Sequence, residues 1–128
     1  PVTHPDDAAP MDLVIVRENT EGFYADRNMF AGSGEFMPDE NLALSVRKIS
    51  AGASSRIARA AFDLARGRRR KVTAVHKANV MKLSDGLFLR EVRKVDHGPV
   101  DRQSPRVGLR CERVHDAARV RQLVLAGV

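Results

Sequence analysis

Tryptophan is absent from the 128 residues, aromatic residues make up only 5%, and cysteine occurs once, at Cys111. A chain so poor in aromatics has no stacking platform for single-stranded nucleic acid. One cysteine excludes an internal disulfide framework and any cysteine-based metal cluster, and it fits a reducing cytoplasm. No apolar run approaches the ~20 residues needed to cross a bilayer, so no membrane role is expected. Residues 1–10 have neither the basic start nor the apolar stretch of a signal peptide. The chain opens on Pro1 with no initiator methionine, as expected of a piece of something longer.

Hydrophobic residues account for 43% and charged residues for 30%, the balance of a soluble globular domain. The length is one domain's worth. A net charge of +6 and a pI of about 10.2 raise the question of a polyanionic partner. The positive charge is uneven: Arg66, Arg68, Arg69, Arg70 and Lys71 cluster in the middle, and six arginines lie between Arg102 and Arg121.

Residues 1–10 hold three of the six prolines and read as an irregular lead-in. Asp12-Leu13-Val14-Ile15-Val16 is a near-continuous apolar run ending at Arg17-Glu18. That pattern predicts a strand buried on both faces, as in parallel α/β sheets. Turn signals follow at Gly32-Ser33-Gly34 and Pro38-Asp39, flanked by Asn28-Met29-Phe30 and by an alternating stretch over residues 42–49. The two flanks together predict a hairpin-like arm.

From Ser54 the period becomes helical, with Ile57, Ala61, Leu64 and Ala65 on one face. Ser50 or Ser54 can cap the start and Gly67 the end. The basic cluster then falls at a helix C-terminus, where the macrodipole favours cations, and this reading is preferred to nucleic-acid binding. Val72-Thr73-Ala74-Val75-His76 predicts a second buried strand. Ser84-Asp85-Gly86 opens a second helix, in which Phe88, Val92 and Val95 share a face. The order strand, arm, helix, strand, helix implies an α/β domain with some parallel pairing. Beyond Val95 the pattern weakens, and residues 114–125 give at most a weak helix.

Two stretches carry chemistry-bearing side chains. In Arg17-Glu18-Asn19-Thr20-Glu21-Gly22-Phe23-Tyr24, the arginine at a strand end suits bidentate recognition of a carboxylate, and the only tyrosine can donate a phenolic proton. Standing alone, these are more often a surface arginine and a half-buried tyrosine. In Val75-His76-Lys77-Ala78-Asn79-Val80-Met81-Lys82-Leu83-Ser84-Asp85-Gly86, a lysine at a strand end can act as a base, although an isolated lysine is more often a solvated charge.

Taken together, Val16-Arg17-Glu18-Asn19-Thr20-Glu21-Gly22 and the stretch from Val75 to Phe88 closely resemble segments of the isocitrate and isopropylmalate dehydrogenases. This metal-dependent, β-decarboxylating family also includes tartrate and homoisocitrate dehydrogenases. The resemblance covers residues 11–95, and two long motifs in the right order make it specific. It implies a fragment of the isopropylmalate dehydrogenase-like α/β fold with a protruding β arm over about residues 26–49. Residues 1–95 are then the central, small-domain segment, and residues 96–128 a divergent or out-of-register arginine-rich tail.

The resemblance also implies a reaction: oxidation of a 2-hydroxy acid such as 3-isopropylmalate or tartrate with NAD or NADP, aided by Mg²⁺ or Mn²⁺, then loss of the β-carboxylate and protonation of the enolate. By motif position, Arg17 grips the substrate carboxylate, Lys77 takes the hydroxyl proton, Tyr24 helps protonate the enol, and Asn79 lies near the nicotinamide. It further implies a homodimer clasped through the arm, with Tyr24 and Lys77 of one chain serving different active sites. A mobile surface loop is the alternative for the arm, since Gly32-Ser33-Gly34 permits either.

The metal ligands are not identifiable. Family aspartates should follow the second helix, and the tail from Asp96 does not resemble that stretch; Asp96, Asp101 and Asp116 read as surface carboxylates. Truncation, a frame error or divergence would each account for the tail. Two other functions stand beside the enzyme reading. A nucleic-acid module would use the basic clusters but lacks a helix-turn-helix, zinc or aromatic signature, so nucleic acid is not an expected partner. A non-catalytic remnant that dimerises through its arm is the serious competitor.

Overall fold

The computed structural model describes residues 13–97, 107–113 and 123–126. In chain order they form β1 (Ile15–Arg17), β2 (Glu35–Asp39), β3 (Leu42–Ser45), α1 (Ala51–Arg66), β4 (Lys71–His76), α2 (Ser84–Asp96), β5 (Gly108–Arg113) and β6 (Leu123–Ala126). Strands β1, β6, β4 and β5 lie in that order in one sheet, every neighbouring pair parallel. Helices link β1 to β4 and β4 to β5, the connection that parallel strands require. The mixed α/β class expected from the sequence is the one observed.

One face of the sheet is packed against the helices. Val72 and Ala74 of β4 form a core with Ala58, Ala61, Phe62 and Ala65 of α1 and with Phe88 and Val92 of α2. The four small or flat positions on α1 let it approach the strands closely, and Phe88 fills the space between the layers. Burying a side chain of the size of Phe88 or Val92 contributes roughly 1.5–3 kcal/mol. Leu64, placed by its spacing on the buried face, is 45% exposed instead. The buried stripe runs through Ala58 and Phe62, which rotates Leu64 to the margin. Ser50 is the cap of α1, accepting the Ala53 amide at 3.2 Å, while Ser54 lies buried inside the helix. Gly67 closes the other end, donating its amide to Ala65.

Central β4 is buried at Val72, Thr73 and Ala74, as its apolar run requires. β1 departs from the same expectation. It is only three residues long, it lies at one edge of the sheet, and Ile15 is 61% exposed. Edge position explains the difference: Val16 is level with Leu125 and, through it, with Ala74 on the helix-covered face, whereas Ile15 is level with Val124 and Thr73 on the other face, where interior β4 is buried at Thr73 and the edge strand is not. Asp12 and the lead-in over residues 1–10 lie outside the described residues.

The tail contributes two strands. Residues 123–126 pair on both sides, with β1 and with β4, and are a strand where the weak helix over 114–125 was expected. Leu123-Val124-Leu125-Ala126 is the uninterrupted apolar run that a doubly paired parallel strand carries; residues 114–122 lie outside the described residues. β5 pairs with β4 over its whole length, from Lys71 with Gly108 to His76 with Arg113.

The arm is a separate two-stranded antiparallel sheet in which every residue of β2 and β3 is exposed. Its turn lies at Glu40 and Asn41, with the Asn41 amide donated to Asp39 Oδ1 at 2.8 Å. The first strand therefore starts later than the sequence pattern suggests. Gly32-Ser33-Gly34 precedes it, Asn28-Met29-Phe30 is not a strand, and Pro38 sits inside β2 where the register shifts between Phe36 and Asp39. An exposed edge with an irregular register is the place where a strand tolerates proline.

Candidate active site at the strand ends

The parallel sheet sends its chemistry-bearing residues to one edge, the carboxyl ends of β1 and β4, where open α/β sheets bind ligands. Arg17 is the last residue of β1 and is level with Ala126 of β6, which is in turn level with Val75 of β4. Two inter-strand spacings separate Arg17 from Val75, about 10 Å at the usual ~4.8 Å per strand. Lys77 follows two residues later, directly after β4, half-buried. Its carbonyl accepts the amides of Val80 at 2.9 Å and Met81 at 2.8 Å, and the His76 Nδ1 accepts the Ala78 amide at 3.1 Å. Asn79 is exposed on this turn. The structure thus brings Arg17, Lys77 and Asn79 to one edge.

Tyr24 belongs to the loop after β1. Its hydroxyl donates to Asn19 Oδ1 at 2.6 Å, and the Arg27 guanidinium lies 4.9 Å from the centre of its ring. Gly22 sets the course of this loop with φ +96°, the left-handed region that glycine adopts without strain. Its amide and carbonyl pair with Lys48 at 2.8 Å each way. Asn28 holds the other side, donating from Nδ2 to the carbonyls of Gly22 and Val46. Gly34 fits there because a Cβ would come within 3.0 Å of the Asn28 Cβ.

Three buried carboxylates fix this assembly, and the sequence reading gave none of them that role. Glu18 accepts the Thr20 amide at 2.9 Å and the Thr20 hydroxyl, and it pairs with Arg56 of α1 at 2.9 Å. Burial alone would raise its pKa. The Thr20 hydrogen bonds and the Arg56 guanidinium outweigh that and hold it below its ordinary value. Glu21 accepts the Ser50 amide at 2.8 Å, tying the Tyr24 loop to the start of α1. Asp85 takes both Arg47 nitrogens, at 2.9 and 3.4 Å, and joins the root of the arm to the first turn of α2. Arg47 also contacts the Met81 sulfur at 3.5 Å and the Phe23 ring at 5.9 Å. Glu21 and Ser50, Glu18 and Arg56, and Arg47 and Asp85 lie 29 to 38 positions apart, beyond any local sequence signal.

Among the described residues no three histidine, cysteine, aspartate or glutamate side chains gather as a metal site. Asp96 ends α2, and Asp101 and Asp116 lie outside the described residues. The exposed cluster Arg66, Arg68, Arg69, Arg70 and Lys71 follows the C-terminal turn of α1, as the dipole argument expects.

The model of the isocitrate/isopropylmalate dehydrogenase family matches residues 2–122. The chain belongs to this family. Human mitochondrial NAD isocitrate dehydrogenase subunit alpha is 47% identical over 87 residues, covering 66% of the chain and 22% of that protein. The 3-isopropylmalate dehydrogenase of Saccharolobus solfataricus is 43% identical over 91 residues, 71% of the chain and 25% of that enzyme. Among solved structures, a Thermus thermophilus protein superposes with a TM-score of 0.76 at 30% identity, over 98% of the chain and 25% of that one. The isocitrate dehydrogenase of Methylococcus capsulatus gives 0.69 at 32% identity, over 90% and 34%. The chain spans about a quarter of the length of the curated relatives it matches. The family match continues past Val95, where the sequence resemblance stops, and the dehydrogenase-like sheet does so too through β5 and β6.

Proposed function

We propose that this chain is the central segment of an NAD(P)-dependent dehydrogenase that oxidises and decarboxylates a 2-hydroxy acid such as 3-isopropylmalate or tartrate. The observation that carries the reading is the register that sets Arg17 and Lys77 at one sheet edge, two strands apart. Arg17 binds a substrate carboxylate through its guanidinium fork. Lys77 Nζ, in its neutral form, accepts the hydroxyl proton as the carbonyl forms. Tyr24 gives its phenolic proton to the enolate carbon once carbon dioxide has left. Asn19 holds that hydroxyl beforehand, and the donated bond must swing from Asn19 to the substrate.

NAD or NADP supplies the hydride acceptor when bound, and the exposed Asn79 amide on the Lys77 turn would hold its nicotinamide end. Among the described residues no three side chains of the kind that hold Mg²⁺ or Mn²⁺ come together, so these residues do not by themselves form the metal site. A homodimer is the matching assembly. The exposed apolar side chains of the arm, Phe30, Phe36, Met37, Leu42 and Leu44, support clasping by a second copy, with Tyr24 and Lys77 of one chain in different sites. The division at residue 95 into a central segment and a tail is one of sequence resemblance, since β5 and β6 join β1 and β4 in one sheet, and the single Cys111 supports a reducing compartment such as the cytoplasm.

A second reading is a non-catalytic remnant that dimerises through the arm, whose exposed apolar side chains serve it equally well. The test is nicotinamide absorbance with NAD or NADP, Mn²⁺ and a panel of 2-hydroxy diacids. Turnover that Lys77→Ala abolishes and Tyr24→Phe sharply reduces supports the enzyme. Near-full activity of Lys77→Ala refutes the assignment of the base. A folded dimer without turnover supports the remnant.

A further inference from the structure

We infer that His76 is the positioning residue for Lys77. The inference rests on the dehydrogenase reading for its catalytic consequence and on local geometry for the rest. Lys77 sits between two sets of bonds. On its C-terminal side, its carbonyl takes the amides of Val80 and Met81. On its N-terminal side, the imidazole of residue 76 reaches over it to accept the amide of residue 78 at 3.1 Å. The second bond closes a small ring containing the whole Lys77 backbone from its amide to its carbonyl carbon. With both ends tied, φ and ψ of Lys77 are fixed, and so is the direction in which its Cβ leaves the sheet edge.

The ring has the form of an Asx turn, in which a side-chain acceptor on residue i takes the amide of residue i+2. Histidine fills this role through Nδ1, an atom attached to Cγ as Oδ1 is in asparagine. Because Nδ1 accepts, it carries no proton, and the neutral imidazole has its hydrogen on Nε2. β4 brings the histidine there: it pairs along its full length with β5, His76 level with Arg113, so the backbone entering the turn is held in the sheet. A misdirected lysine would leave substrate binding through Arg17 intact and weaken the proton transfer alone.

The experiment compares this chain with His76→Asn and His76→Leu by amide hydrogen exchange, alongside steady-state kinetics of the enzyme that carries the segment. Asparagine keeps the acceptor and leucine removes it. The Ala78 amide is expected to stay protected in His76→Asn and to exchange about ten-fold faster in His76→Leu, the equivalent of one ordinary hydrogen bond. Amides in the middle of α1 stay unchanged in both, showing an intact fold. The 15N spectrum of wild-type His76 should show the Nε2–H form. In kinetics, His76→Leu is expected to lower kcat with KM little changed, and His76→Asn to restore most of it. Equal Ala78 protection in all three proteins overturns the inference. The expected exchange pattern with kcat unaffected, in an enzyme that Lys77→Ala inactivates, also overturns the positioning role but leaves the dehydrogenase reading standing. Full activity of Lys77→Ala removes both.

Discussion

Replacing Arg47 by alanine tests whether the arm is held by charge. The guanidinium is 11% exposed and the Asp85 carboxylate 3%, with two contacts at 2.9 and 3.4 Å. Removing the arginine leaves a carboxylate in a site with little water, and breaking one side of a buried pair typically costs 3–5 kcal/mol. For a chain of this length each kcal/mol lowers the melting temperature by about 4 °C, so the expected loss is roughly 12–20 °C. Thermal unfolding followed by circular dichroism gives the number. The double substitution Arg47→Met with Asp85→Leu supplies the control. It removes both charges, keeps apolar contacts near Phe23, and should recover most of the loss, because well-packed apolar replacements of buried pairs are often neutral. The double-mutant cycle then isolates the coupling. A single-substitution cost below about 1 kcal/mol, the range of exposed pairs, would refute the claim that this bridge anchors the arm.

Acid should weaken the fold through Glu18 and Glu91. Both carboxyls lie below their usual value of 4.5, Glu18 through Thr20 and Arg56 against the effect of burial, Glu91 chiefly through the Lys94 hydrogen bond. Their folded-state pKa is depressed, so the stabilisation is full above the unfolded value and drains away as pH falls below 4.5 toward the folded one. Melting temperature measured against pH should fall in that window, and Arg56→Ala should flatten the fall; a curve unchanged by Arg56→Ala would contradict the assignment. Phe88→Ala, which empties the centre of the core, should cost about 3–5 kcal/mol in urea unfolding. On the proposed dimer reading, Met37→Asp on the exposed arm should give a monomer in light scattering and a melting temperature that no longer rises with protein concentration; an unchanged oligomeric state would refute clasping through this face.

The elements most legible in the sequence were those whose burial follows from local period. Val72-Thr73-Ala74 reads as a buried strand and is one, and Phe88 and Val92 share the face that meets the core. Leu64 was misplaced because two rows on α1 carry apolar residues, and only contact with α2 and β4 selects the row of Ala58 and Phe62. The exposed Ile15 shows a second limit. An apolar run announces a strand but not its place in the sheet, and an edge strand with one open face carries the same letters as a central one. β6 was missed for the converse reason: four apolar residues in an arginine-rich tail become a strand only because β1 and β4 present unpaired backbone on both sides. At the site, the motif residues were readable one by one. Their juxtaposition came from the register through Ala126, which no local pattern encodes.

The charged residues near the sheet edge divide by what the surrounding backbone demands of them. Loops that leave a strand end must satisfy their amides without a ladder, and here carboxylates do it: Glu18 for Thr20, Glu21 for Ser50. Each also reaches another element, so the loops and helices are held by groups already engaged. A carboxylate that accepts two hydrogen bonds and faces an arginine has its charge neutralised in place, and such a group is poorly suited to capture a divalent cation. Arg17, Tyr24 and Asn79 are placed differently, at or near the surface and away from these bridges. The rigid part of this end of the sheet is therefore built from buried acids, while Arg17, Tyr24 and Asn79 stand at or near the surface and Lys77 follows β4 with its backbone held by the turn.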